Sequence, residues 1–284
     1  MASSKIIKRR IKSANNISQI TRAMQMVAAS KMKRAQAIAI SGKPYALGIH
    51  HAVFEFLQTV EDSDFALFQR FPDAPKSLAI LISTNKGLCG GLNSSLFRHI
   101  WQWFVDRNVS YITLGKKGRN FVARSGKELI ADFSDARFLD VVPAVIDLII
   151  SEYAKGLYKD VYILYNSFQS ALRYEPVRLK LLPFEPIVAE MEDQVSIEKR
   201  QFVIEPSAKE VLEALIPHYL ETLVRSSILE ADASEHSARM IAMKNATDNA
   251  KDLMKVLTLE YNKIRQSQIT SEIADMVTAR MSIA

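Results

Sequence analysis

The glycine-rich run Gly87-Leu88-Cys89-Gly90-Gly91 is the stretch best placed to do chemistry. It follows an apolar run and precedes a helix-forming one, where backbone N–H groups can cradle a phosphate. A P-loop would need a Lys-Ser/Thr pair after the glycines, and none follows. The dinucleotide fingerprint fails as well, because G-x-x-G-G lacks its spacing. A structural turn through Gly87, Gly90 and Gly91, holding no cofactor, is the better reading. Histidines 50, 51, 99, 218 and 236 form no HxH, HExxH or Cys/His spacing, so no metal site is expected. Ser83 and Cys89 stand beside no His or Asp pattern that would activate a nucleophile. Glu152 and Asp160 read as ordinary helix-surface carboxylates. No catalytic constellation emerges, and the chain is read as non-catalytic.

The elements around this turn are less ordinary. From His218 to about Met281 the chain contains neither Pro nor Gly, the residues that cost most inside a helix, roughly 3 and 1 kcal/mol relative to Ala. Apolar residues recur there at threes and fours: Ala246, Ala250, Leu253, Leu257, Tyr261 and Ile264, then Ile269, Ile273 and Val277. That is the narrow stripe of a helix packing along another helix. At 1.5 Å per residue the segment spans roughly 90 Å, whereas a compact domain from the middle of the chain would be roughly 35 Å across. The expectation is a shaft.

Residues 3–41 also lack Gly and Pro. Ile17, Ile20, Met24, Val27, Ala28, Met32, Ala35 and Ile38 continue the same spacing, and Gly42 with Pro44 predicts the end of that helix. A shorter helix is expected from Pro44 to about Thr59, then a polar linker to Lys76. Short buried-strand runs follow at Ser77–Ser83, Ser110–Leu114 and Val161–Tyr165, with an edge strand at Arg178–Pro183. Helices are expected through Trp101–Val105, Lys116–Arg124 and Asp140–Ala154. Ser207-Ala208-Lys209-Glu210 has the form of a capping box, and Pro217 predicts a kink or the start of the long helix. The fold class is therefore α/β: a central Rossmann-like domain plus a long antiparallel coiled coil of the N- and C-terminal helices. The divisions are residues 1–43, 44–206 and 207–284. The longer helix should overhang the shorter by some 30 Å, and its tip needs something to surround it.

Charge is unevenly spread along the 284 residues. Residues 1–54 hold ten Lys/Arg, among them Arg9, Arg10, Lys31, Lys33 and Arg34, and no Asp or Glu. A helix carrying only positive charge expects an acidic partner. One cysteine excludes an internal disulfide framework. No run of 18 apolar residues and no signal h-region occur, so nothing is expected to span a membrane.

Three stretches then identify a resemblance: Ile11–Gln36 (IKSANNISQITRAMQMVAASKMKRAQ), Ile82–Asn93 (ISTNKGLCGGLN) and Ser234–Glu272 (SEHSARMIAMKNATDNAKDLMKVLTLEYNKIRQSQITSE). Together they resemble the gamma subunits of rotary F-type ATP synthases. The resemblance implies a central-stalk rotor that couples proton-driven rotation of a c-ring to ATP synthesis or hydrolysis at beta-subunit sites. It implies one copy per complex, partnered by three alpha and three beta subunits, an epsilon subunit and the c-ring. Membrane association would be only through the complex, at the cytoplasmic face of a bacterial plasma membrane. By the same resemblance Met24, Arg239, Gln266 and Thr270 are rotor–stator contacts. Ile269, Ile273 and Val277 form a tip buried in an apolar sleeve. Arg9, Arg10, Lys31, Lys33 and Arg34 face the beta subunits. The family's usual Ser-Asp-Arg before the glycines is Thr84-Asn85-Lys86 here, which puts any ion pair of that Asp in doubt.

Two other readings compete. A basic coiled-coil nucleic-acid binder would lose affinity steeply with salt, but the basic helix lacks aromatic residues for stacking on bases. A nucleotide-binding enzyme using the glycine turn would show saturable nucleotide binding by the isolated chain.

Overall fold

The computed structural model describes residues 4–57, 67, 69–105, 108–184 and 208–281. Ser207 and the Glu205-Pro206 boundary lie outside the described residues. In chain order the elements are α1 (Ser4–Leu57), β1 (Lys76–Ile82), α2 (Leu92–Trp103), β2 (Val109–Leu114), α3 (Lys116–Arg124), β3 (Leu129–Asp132), α4 (Val142–Ala154), β4 (Tyr158–Ser170), β5 (Arg173–Leu182) and α5 (Ala208–Met281). They fall into two compact units, one of residues 31–238 and one of residues 1–30 with 239–284.

The unit of residues 31–238 is built on a five-stranded sheet of order β3-β2-β1-β4-β5. The pairs β1–β2, β1–β4 and β2–β3 are parallel, and β5 closes the edge antiparallel to β4. The apolar run of β1 is buried on both faces, and its alternation sorts residues into two cores. Leu78, Ile80 and Ile82 join Val145 and Ile149 of α4, Ile49 and Val53 of α1, and Ile216, Leu220 and Val224 of α5. Ala79 and Leu81 pack on the other face with Leu96 and Ile100 of α2 and Val122 of α3. Each fully buried side chain of this size stabilises by about 1.5–3 kcal/mol.

Two sequence expectations fail here. The helix predicted to stop at Gly42 runs on through Gly42 and Pro44 to Leu57. Of the two alternatives given for Pro217, it is not the start of the long helix, since α5 already begins at Ala208. Gly and Pro inside a helix cost about 4 kcal/mol together. Burial of Ile49 and Val53 offsets a cost of that size. The bond that Pro44 forfeits lies among exposed residues, where water can take the freed carbonyl of Ile40. Asp160 is not on a helix surface but on β4, buried and ion-paired to Lys180 at 3.3 Å. The strand β3 was not expected at all.

The unit of residues 1–30 and 239–284 is a two-helix coil. A hydrogen bond between the hydroxyls of Thr21 and Thr247, 2.7 Å and buried, fixes its register. On α1 the buried or half-buried positions include Ile7, Ile11, Ala14, Ser18, Thr21, Gln25 and Ala28. On α5 they include Met243, Thr247, Ala250, Met254, Leu257, Tyr261 and Ile264. Both runs alternate steps of four and three, the heptad seam of a coiled coil. As many residues separate Thr21 from Ser4 as separate Thr247 from Ile264, so in an antiparallel pair α1 begins opposite Ile264. Every residue from Arg265 to Met281 is exposed. That overhang is about 25 Å long at 1.5 Å per residue.

The apolar stripe read on α1 is divided: Ala28, Met32 and Ala35 are buried, while its first large residues lie off the seam. Ile17, Ile20 and Val27 are more than half exposed. The seam is filled by smaller residues, which let two helix backbones approach more closely than large side chains would.

Candidate functional site

A doubly wound sheet binds ligands at the carboxyl ends of its strands, where the strand order reverses. Here the reversal lies between β1 and β4. The chain leaves β1 through Ser83-Thr84-Asn85-Lys86 and the glycine turn into α2. The turn is held from within. The Thr84 backbone N–H donates to Asn93 Oδ1 (3.3 Å), Asn93 Nδ2 donates to Thr84 Oγ1 (2.8 Å), and Thr84 Oγ1 donates to the Lys86 carbonyl (2.8 Å). Leu88 at φ 64° and Gly90 at φ 58° make the left-handed steps that reverse the chain. Such a φ is easy for Gly90 but unusual for a leucine. Gly87, Gly90 and Gly91 are thus exposed members of a folded turn.

The neighbouring loop after β2 is fixed equally tightly. A Cβ on Gly115, at φ 119°, would lie 2.1 Å from the Ser83 carbonyl oxygen, so only glycine fits. Ser83 Oγ donates to the Gly115 carbonyl and accepts from the Gly118 N–H at 2.7 Å. Asn85, which stands where the resemblance expects Asp, accepts from the Lys116 N–H at 2.9 Å. It thereby satisfies one of the orphan donors at the start of α3.

The crevice itself is taken up by the protein's own helix. Ile228, Ala231, Asp232 and Glu235 of α5 line it together with Ile82, Ser83, Thr84 and Asn166, leaving a cavity of about 30 Å³. Two serines fasten α5 there. Ser234 Oγ donates to the Asn166 carbonyl (2.9 Å) and Ser237 Oγ to the Ala171 carbonyl (2.6 Å), and both serines are fully buried. His236 lies 3.3 Å from the Asp232 carboxylate one turn back. These residues sit in the SEHSARM stretch quoted above. Their docking role was missed because short polar residues in mid-helix read as a solvated face. Serine hydroxyls with no surface-helix rationale were the available signal. A nucleotide needs several hundred cubic ångströms, and two carboxylates on the rim repel phosphate. Among the described residues no cluster of three or more His, Cys, Asp or Glu could hold a metal ion.

The residues named as rotor–stator contacts are dispersed. Met24 is half-buried beside the α1 seam and Arg239 half-buried on α5. Gln266 and Thr270 come together on the exposed overhang, where Thr270 Oγ1 donates to the Gln266 carbonyl at 2.9 Å. Ile269, Ile273 and Val277 are 44%, 53% and 53% exposed on the same overhang. Arg9, Arg10, Lys31, Lys33 and Arg34 are all exposed on α1.

The fold thus defines a class: a doubly wound α/β unit whose ligand crevice is closed by its own helix, with a coiled coil made from the two ends of the chain. A family model described as ATP synthase matches residues 3–283. An ATP synthase gamma chain from Akkermansia muciniphila is 38% identical over 287 residues, covering 96% of each chain. One from Desulfitobacterium hafniense is 39% identical and covers 98% of each. One from Herpetosiphon aurantiacus is 40% identical, covering 100% of this chain and 99% of its own. Among solved structures, a chain of the Euglena gracilis mitochondrial ATP synthase (OSCP/F1/c-ring) superposes with a TM-score of 0.69 at 16% identity, covering 99% of this chain and 94% of its own. A chain of the Tetrahymena thermophila mitochondrial ATP synthase (central stalk and c-ring) gives 0.59 at 23% identity, covering 80% and 99%. The chain belongs to the ATP synthase gamma-chain family.

Proposed function

We propose that this chain is the central-stalk rotor of an F-type ATP synthase and is not itself catalytic. It couples proton-driven rotation of a c-ring to ATP synthesis or hydrolysis at beta-subunit sites. Membership of the gamma-chain family supports this reading, and one observation carries it. From Arg265 to Met281 a helix with isoleucine, methionine and valine side chains stands exposed on all sides. A helix end of that composition is stable in water only marginally by itself. An encircling ring of subunits would bury it.

One copy would act within a ring of three alpha and three beta subunits, and with an epsilon subunit. A single asymmetric coil inside a threefold ring presents a different face to each beta subunit. Each third of a turn then changes which site is favoured, a differential contact with discrete states of the partner. Gln266, Thr270, Arg239 and Met24 are the contacts assigned to that seam. Ile269, Ile273 and Val277 enter an apolar sleeve. Arg9, Arg10, Lys31, Lys33 and Arg34 meet acidic surface of beta. The bacterial relatives favour the cytoplasmic face of a plasma membrane, reached through the complex. No described helix is long and apolar enough to cross a membrane.

The test is co-purification of the tagged chain from native membranes with ATPase activity assayed on the eluate. Recovery of alpha and beta subunits, one copy of this chain per ring, and activity is the expected result. A chain that elutes alone or with nucleic acid overturns the reading.

A further inference from the structure

The outer face of α2 and α3 is left unused by the rotor function. Phe97 of α2 stacks on Phe121 of α3, with ring centroids 4.3 Å apart and planes 7° from parallel, and Trp101 meets Phe121 edge-on at 6.1 Å. The two phenylalanines are half-buried against the core beneath, while Trp101 is 52% exposed. Trp101, Phe121 and Ile100 line a recess together with Ser125 and Lys127. Neither helix carries an Asp or Glu. Lys116 and Arg119 are ion-paired to Asp135 and Asp132. The side chains of Arg98, Lys117, Arg124 and Lys127 have no acidic partner among the described residues. Lys117 and Arg124 stand one helical turn before and after Phe121, and Arg98 one turn before Trp101. Unpaired cations therefore flank the aromatic ridge.

We propose that this face docks an acidic amphipathic helix of a partner protein, with one large apolar side chain seated in the recess and carboxylates reaching the flanking cations. An aromatic anchor point inside a charged rim is the make-up of a binding hot spot. The unpaired positive charge sets the sign of the partner. A lipid surface is a poorer occupant, because a membrane anchor inserts its apolar side chains and here they enclose a recess. A nucleic-acid strand needs open ring faces on which its bases stack, and Phe97 and Phe121 turn theirs to each other.

Both tryptophans of the chain, Trp101 and Trp103, lie on α2, so the tryptophan fluorescence of the full chain reports this face. The probes are a synthetic amphipathic helix of Glu, Ala and Leu, the same peptide with Lys for Glu, phosphatidylglycerol vesicles and poly(U). The expected result is a saturable blue shift of the emission with the acidic peptide only. Lys117→Glu/Arg124→Glu should weaken that binding about tenfold and leave the Tm unchanged, since both residues are exposed. This variant separates binding here from binding to the basic residues of α1. Trp101→Ala, read through Trp103, should weaken the binding at least as much. A shift produced by the Lys peptide, the vesicles or the RNA in place of the acidic peptide overturns the proposal. So does equal affinity of the charge-reversed variant, or no shift with any probe.

Discussion

The hydroxyls of Thr21 and Thr247 meet at 2.7 Å in the middle of the two-helix coil. Each also lies within bonding distance of the carbonyl four residues back on its own helix, Ile17 for Thr21 and Met243 for Thr247. One threonine therefore donates across the seam while the other donates along its helix. A polar pair at the core of a heptad seam costs stability relative to apolar packing but specifies one register. Thr247→Val should destabilise the coil by about 1 kcal/mol. Thr21→Val/Thr247→Val together should cost less than the two single changes summed, since the double variant leaves no orphaned hydroxyl. Urea unfolding followed by helical circular dichroism reads both, and strict additivity would refute the coupling.

The two buried serines of α5 give a second expectation. Ser234→Ala leaves the carbonyl of Asn166 without its donor, and Ser237→Ala does the same at Ala171. Each change should cost about 1–3 kcal/mol. Amide exchange should quicken within residues 228–238 and stay unchanged in β1 and β2. Uniform acceleration across the sheet would mean that the serines do not act locally.

His50 sets a pH dependence. Burial, with the neighbouring His51 adding repulsion, holds its pKa below the usual 6.5. Its Nδ1 is buried with no hydrogen-bond partner, and its ring lies 5.8 Å from that of Tyr219. The folded state thus disfavours the protonated ring, while the unfolded chain takes up the proton near pH 6.5. Stability is complete above that value, declines as the pH falls below 6.5, and levels off once the folded-state pKa is passed. Replacing His50 with Leu should flatten the Tm profile between pH 7 and pH 5 relative to the parent chain. Identical slopes for both proteins would exclude His50 as the source.

The overhang separates stability from assembly. Ile273→Asn should change the unfolding free energy of the isolated chain by no more than about 0.5 kcal/mol, as for an exposed position. It should nevertheless lower coupled ATP synthesis in the complex. Deleting Gln266–Ala284 should weaken assembly or torque and leave the sheet folded. Unaltered coupled synthesis after that deletion would count strongly against the rotor reading. Met24→Lys should impair coupling more than assembly, and a variant that fails to assemble would contradict the place given to Met24.

Much of this architecture is legible in the sequence, and the exceptions have physical reasons. The buried runs of β1, β2 and β4 announce themselves because both faces are covered. The strand β3 does not, being four residues at a sheet edge with exposed or half-buried side chains. On α1 the steps of three and four are present, but the large apolar residues Ile17, Ile20 and Val27 lie off the seam. The actual seam, Ile7, Ala14, Thr21, Ala28 and their partners, is marked by a strict seven-residue recurrence rather than by hydrophobicity. The serines that hold α5 were not recognised, since nothing local says which sheet a helical serine will meet.

The closed switch point has a consequence for how the α/β unit behaves. The crevice that other doubly wound sheets leave for a diffusing ligand is occupied by a segment of the same chain. A tethered ligand acts at an effective concentration on the order of millimolar or more, and it cannot be diluted away. Occupancy therefore does not depend on any metabolite, and a free peptide copying residues 228–238 would compete poorly. The sheet is, in effect, permanently saturated by its own helix.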